Sequence, residues 1–246
     1  MTFPVFIINT PGDQDLYNNV ASQFAGHERF KVSRVEGVLG RTLPSIVCRY
    51  CTHDPNSVNN KGAVGVFFGH INAWEALIAS GAAYGLVLED DVIVDNLGMV
   101  DVERFPTGFD VIFVNDRTAP VRSDDVVQLE FEHIGSSIPA IESRKMSVGG
   151  DGYVLSSDGA KKLIEAVKTD RFFSHVDLRL FAYCLTDSDI ETYGDSGPVG
   201  SELRNMFRFL NRGTYLKGYS TYPPLITHKL DKSRRVREDQ LGRDKT

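Results

Sequence analysis

The apolar positions along this chain fall into alternating strand-like and helix-like stretches. Pro4 to Ile8 is a short apolar run that ends in Asn-Thr-Pro-Gly at 9 to 12, the pattern of a buried strand closed by a turn. Asp15 to Phe24 then carries helix-compatible spacing, and Lys31 to Val35 predicts a second strand closed by Glu36-Gly37. Leu39 to Asn60 mixes polar and apolar residues around Pro44 and Pro55 and reads as a long loop, a place for substrate contacts. From Val64, the residues Phe67, Phe68, Ile71, Trp74, Leu77 and Ile78 recur at helical spacing, with Gly81 as the C-cap.

The next run, Tyr84 to Leu88, stops at three carboxylates, Glu89-Asp90-Asp91, before Val92-Ile93-Val94 resumes. Open α/β sheets bind ligands beyond the carboxyl ends of their strands, so a strand running into acids is the geometry of an active-site edge. Phe109 to Val114 and Tyr153 to Leu155 predict further strands, and a helix follows from about Asp158 to Val167. Strands alternating with helices predict an α/β fold with a mostly parallel central sheet flanked by helices. Beyond Ser174 the pattern weakens. Asp187 to Glu202, rich in Asp, Ser and Gly, reads as a mobile or substrate-ordered loop, and the tail from His228 is dense in mixed charge.

Composition narrows the function classes. With 246 residues, 41% of them hydrophobic, the chain buries a substantial core. A formal net charge of -6 argues against nucleic acid as a partner, because phosphate binding draws on a concentrated basic surface. The N-terminal residues lack a basic n-region and turn polar at Asn9, and no run approaches the roughly 18 apolar residues that span a bilayer. The expectation is a soluble, cytoplasmic protein with at most peripheral contact to the inner face of the membrane. Cys48 and Cys51 form a C-x-x-C with His53 just beyond, but a zinc site normally brings a second ligand pair, and Cys184 sits in an apolar stretch as core filling.

Three adjacent carboxylates repel one another unless a cation neutralises them. Mn²⁺ or Mg²⁺ suits such a place, since hard divalent cations take one or two carboxylates and leave positions for water and substrate phosphates. Charge alone leaves several chemistries open, among them phosphohydrolases, nucleotidyltransferases, calcium loops and a plain solvated turn.

The residues around the acids are more specific. Gly62-Ala-Val-Gly-Val-Phe-Phe-Gly-His70, then Trp74-Glu75, then Leu86-Val-Leu-Glu-Asp-Asp91 resemble glycosyltransferase family 25, the lipopolysaccharide-type galactosyltransferases, in both order and spacing. The resemblance extends to Val5 to Asn9, Val35-Glu36-Gly37, Gly150-Asp-Gly-Tyr153-Val-Leu-Ser156 with Gly159-Ala160-Lys-Lys-Leu163, and Val176-Asp177, and it fades after about residue 180. Ala63 stands where the family usually has Glu, and Gly69 where it has Ser; both departures bear on donor or acceptor preference rather than fold.

What the resemblance implies is a GT-A type fold, a nucleotide-sugar donor such as UDP-galactose, a divalent metal, and inverting transfer of a hexose to a saccharide or lipid-linked saccharide acceptor of a bacterial surface glycan or lipopolysaccharide. One domain would cover residues 1–246, with a donor-binding part over about 1–115, an acceptor-side part over about 116–230 and a charged tail at 231–246. Asp91 is the first choice of metal ligand, with Glu89 and a late His228 beside it, and Lys229, Lys232 and Arg234 are candidates for the diphosphate. Asn9, Thr10, Gly37, His70, Glu89 and Asp90 are the expected donor contacts. The base that takes the acceptor proton is Asp177, or else Asp151. For Asp177 the competing account is a helix N-cap, for His70 and His228 an ordinary structural histidine, and for the whole site a non-catalytic nucleotide-sugar binding module.

Overall fold

A computed structural model describes residues 2–51, 61–122, 126–170, 175–210 and 216–228, the side chains of 49–51 and 209 excepted. The chain runs β1 (Phe3–Asn9), α1 (Gln14–Ser22), β2 (Phe30–Glu36), α2 (Ser45–Cys51), α3 (Lys61–Ser80), β3 (Tyr84–Glu89) and β4 (Val92–Val94). It continues through β5 (Val111–Phe113), β6 (Glu130–His133), α4 (Ile138–Arg144), β7 (Gly152–Ser156), α5 (Ser157–Asp170), α6 (Val176–Tyr183), α7 (Asp187–Tyr193), α8 (Pro198–Phe209), β8 (Gly218–Tyr222) and β9 (Ile226–His228).

Seven strands form one sheet in the order β2-β1-β3-β7-β5-β8-β6. The strands β2, β1, β3, β5 and β8 share one direction, and β7 and β6 run against them, so the sheet is mostly parallel. Strand alternation gives it two apolar faces. Val87 joins Phe67, Trp74 and Leu77 of α3 with Leu163 and Phe181, whereas Leu86 and Leu88 join Val5, Ile7, Val20 and Phe24 on the other side.

Two features of this sheet make the site. The antiparallel β7 lies beside β3, with Leu88 opposite Gly152, so the residue entering β7, Asp151, arrives at the edge where β1 and β3 end. A separate ribbon pairs β4 with β9 and sets His228 opposite Val92, next to Asp91.

Several sequence expectations need correction. The stretch read as a loop from Leu39 to Asn60 contains α2, and residues 52–60 lie outside the described ones. Asp187 to Glu202, expected as a loop, is α7 and the first part of α8. The short polar residues there cap helices instead: Thr186 and Asp189 form a capping box, and Pro198 occupies the first turn of α8, whose Leu203 and Met206 are buried. α3, at 20 residues and a mean hydropathy of 1.2, does meet the length and composition needed to cross a membrane. Its apolar side is instead occupied by the sheet and α5, the packing of a core helix.

Candidate active site

A cleft of about 290 Å³ opens where β1 and β3 end and β7 begins. Of the expected residues, Thr10, Gly37, His70, Glu89, Asp90, Asp91, Asp151, Asp177 and His228 all line it. Asn9 lies just behind: it is 1% exposed, and its Nδ2 donates to Asp13 O at 2.9 Å and to Asp90 Oδ2 at 2.5 Å. Its place is therefore to hold Asp90. Thr10 Oγ1 donates to Asp13 Oδ2, and the β1 and β2 ends pass closely, since a Cβ on Gly37 would stand 3.0 Å from Thr10 Cγ2 and 3.1 Å from Thr10 N.

Strand β3 ends at Glu89, and Asp90-Asp91 form the turn into β4. The strand alternation that would put Glu89 and Asp91 on one face stops there. Glu89 faces α3, where His70 Nε2 is 3.3 Å from its Oε1, and its backbone N–H donates to Asp151 O at 2.9 Å. That bond ties the acidic run to the loop entering β7.

Asp91 and Asp151 are both under electrostatic load. Burial, then the charges of Glu89 and Asp90, raise the Asp91 pKa to about 7. Burial, then the charge of Glu89, raise that of Asp151 to about 8, with Asp91 and Asp177 adding to it and Arg117 opposing. Asp91 Oδ1 and Asp151 Oδ2 are buried and, among the described residues, have no hydrogen-bond partner.

Arg117, which the sequence reading did not single out, enters this cluster from the loop after β5. Its Nη2 donates to Asp151 Oδ1 at 2.7 Å and to His228 Nδ1 at 2.9 Å. Gly149 makes room for the pair, since a Cβ there would stand 2.9 Å from Asp151 Oδ2 and 3.0 Å from Arg117 Cδ. The signal for Arg117 was available: it follows a strand end, as the acidic run does.

Does the donor set fit a divalent cation? Among the described residues no three His, Cys, Asp or Glu side chains are grouped to hold one, so Asp91, Glu89 and His228 do not form the expected trio. The physical reason at His228 is that its Nδ1 faces the Arg117 guanidinium, and burial followed by that charge lowers its pKa. What the described residues leave for a cation is one buried, unpartnered oxygen on each of Asp91 and Asp151, and a hard divalent ion can bind through one or two carboxylates when phosphate and water complete its shell.

Asp177 lies in the first turn of α6, and the N-cap is His175, so Asp177 is not the cap. Its Oδ1 accepts from the Leu178 N–H at 2.9 Å. Cys48 and Cys184 are buried in the core, while the side chains of Cys51 and His53 and the candidates Lys229, Lys232 and Arg234 lie outside the described residues.

The family model described as glycosyltransferase family 25 (LPS biosynthesis protein) matches residues 3–178. The mouse (Mus musculus) inactive glycosyltransferase 25 family member 3 is 31% identical over 146 residues, 53% of this chain and 23% of that protein. Procollagen galactosyltransferase 1 of Danio rerio is 29% identical over 117 residues, 43% of this chain and 18% of that protein. The chain thus spans about a quarter or less of the length of these curated relatives. Among solved structures, a glycosyltransferase involved in the glycosylation of the major capsid of PBCV-1 overlaps loosely, at TM-score 0.43 and 10% identity over 99% of this chain and 100% of that one. With the family model matching well over half of its length, the chain belongs to glycosyltransferase family 25.

Proposed function

We propose that this chain is a metal-dependent, inverting hexosyltransferase that moves galactose from UDP-galactose to a saccharide acceptor of a bacterial surface glycan or lipopolysaccharide. The observation that carries this reading is the convergence of Glu89, Asp90, Asp91, Asp151 and Asp177 with Arg117 in one cleft at the strand ends. The family description, with its mention of LPS biosynthesis, supports the acceptor class, and the zebrafish relative's name supports galactose.

In this scheme Asp91 and Asp151 would hold Mn²⁺ or Mg²⁺, which would supply positive charge against a departing diphosphate. Arg117 turns its guanidinium from Asp151 toward phosphate oxygens, a pairing that its planar fork suits. Asn9 keeps Asp90 at the cleft wall, and Thr10 and Gly37 border the nucleotide. Asp177 takes the proton of the acceptor hydroxyl as general base.

A second reading, that this chain binds a nucleotide sugar without turning it over, is favoured by one finding: the name of the mouse relative calls it inactive. Release of UDP from UDP-galactose, with Mn²⁺ and a panel of saccharide acceptors, separates the two. Acceptor-dependent UDP release supports transfer. Donor binding with no release from any acceptor supports the second reading, and phosphate-ester hydrolysis faster than sugar transfer overturns both.

A further inference from the structure

From Glu89 and His70 in the cleft wall a line of polar groups runs inward to Tyr153 and Trp74, and the chemistry above gives this line no role. Trp74 Nε1 donates to Tyr153 Oη at 2.7 Å, Tyr153 Oη is 2.8 Å from His70 Nδ1, and His70 Nε2 is 3.3 Å from Glu89 Oε1. Trp74, Tyr153 and His70 are each at most 1% exposed, while the Glu89 side chain is 27% exposed and lines the cleft.

The order of the protons follows from what each group can give and take. An indole N–H only donates, so the Tyr153 oxygen is the acceptor from Trp74. A fully buried phenol keeps its own proton, which in turn needs an acceptor. His70 Nδ1 is in reach at 2.8 Å, with the two rings stacked at 17°. A neutral imidazole that accepts at Nδ1 carries its proton at Nε2, and that N–H points to the Glu89 carboxylate. The opposite tautomer would strand the Tyr153 proton and turn a lone pair toward a carboxylate oxygen.

We propose that Trp74, Tyr153 and His70 are positioning residues that fix the Nε2–H tautomer of His70 and so hold Glu89 as a hydrogen-bond acceptor for a hydroxyl-bearing ligand in the cleft. The identity of that ligand rests on the nucleotide-sugar reading; the order of protons does not.

Two measurements on the full chain test it. Long-range ¹H–¹⁵N correlation spectra read the tautomer, with the His70→Gln spectrum assigning the signal. The expected result is an unprotonated Nδ1 and a protonated Nε2, with Tyr153→Phe populating the Nδ1–H form; a protonated Nδ1 in the wild type overturns the proposal. The second measurement compares His70→Gln, which keeps an amide N–H where Nε2–H stands, with His70→Asn, which keeps one only near Nδ1. With UDP-galactose and Mn²⁺ as the probe, the Gln variant stays within about threefold of wild-type affinity, and the Asn variant loses about tenfold or more, as loss of a hydrogen bond to a charged group requires. Equal weakening in both variants overturns the proposal, since a ring that merely fills the core makes no such distinction. The tautomer is read with no donor present, so a failure of the nucleotide-sugar reading is separable from a failure of the relay.

Discussion

Arg117 Nη2 stands 2.7 Å from Asp151 Oδ1, an ion pair whose side chains are 14% and 6% exposed. It sets a cation against the carboxylates of the cleft, and it joins the loop after β5 to the residue that leads into β7. Removing one partner of such a pair leaves the other charge buried and uncompensated. Arg117→Gln is therefore expected to destabilise the protein by on the order of 3 kcal/mol in urea unfolding above pH 8, where Asp151, raised to about 8, carries its charge. Asp151→Asn in the same background returns part of that loss; simple addition of the two losses would show that the pair is not coupled.

The raised carboxyl groups make a pH prediction with a definite sign. Asp91 and Asp151 move from an ordinary 3.8 to about 7 and about 8 in the folded protein. A folded pKa above the unfolded value favours folding fully below pH 3.8, and that contribution is lost as pH rises through 7 and 8. Mn²⁺ competes with those protons, so it raises the melting temperature more at pH 8 than at pH 5. An equal rise at the two pH values would contradict the assignment of Asp91 and Asp151 as its ligands.

The close approach of α3 to the turn after β2 is tested by two glycines on the same helix. A Cβ at Gly65 would stand 2.4 Å from Val38 O and 2.6 Å from Gly40 N, whereas one at Gly62 meets nothing within 4 Å. Gly65→Ala should cost about 1–3 kcal/mol in thermal or denaturant unfolding. Gly62→Ala should be neutral or stabilising by up to about 1 kcal/mol.

The roles of two carboxylates separate by kinetics and binding. Asp177→Asn retains the oxygen that accepts from the Leu178 N–H, so the first turn of α6 stays in place. Donor affinity is then unchanged, while transfer falls by about 100-fold or more, the range for loss of a general base. Near-normal turnover in this variant would move the base to Asp151. Asp91→Ala, by contrast, is expected to abolish metal-dependent donor binding.

Much of this site was legible because its signals are local. Glu89-Asp90-Asp91 announce themselves as an apolar run that ends in acids, and the α3 stripe from Phe67 to Leu77 carries its periodicity on its face. Relationships between distant elements were less legible. Nothing near Tyr153 states that its strand runs antiparallel to β3, yet that direction is what carries Asp151 to the cleft edge. Arg117 shares the acidic run's place after a strand end, but that place does not state its partners, and its role comes from the distant Asp151 and His228 that meet it. The Asp187 to Glu202 stretch misled for a physical reason: Thr, Asp and Pro favour loops and helix starts alike, and two helix starts are what they supply.

The central claim is that the carboxylate cleft binds a nucleotide sugar through a divalent cation, and a thermal-shift titration with UDP-galactose and other UDP-sugars, with and without Mn²⁺, tests it most directly. A ligand that binds only the folded state stabilises it by about 2.7 kcal/mol at a hundredfold excess over its dissociation constant. The predicted result is stabilisation by a UDP-sugar that requires Mn²⁺ and disappears in Asp91→Ala. No shift from any nucleotide sugar, with or without the metal, would contradict the account.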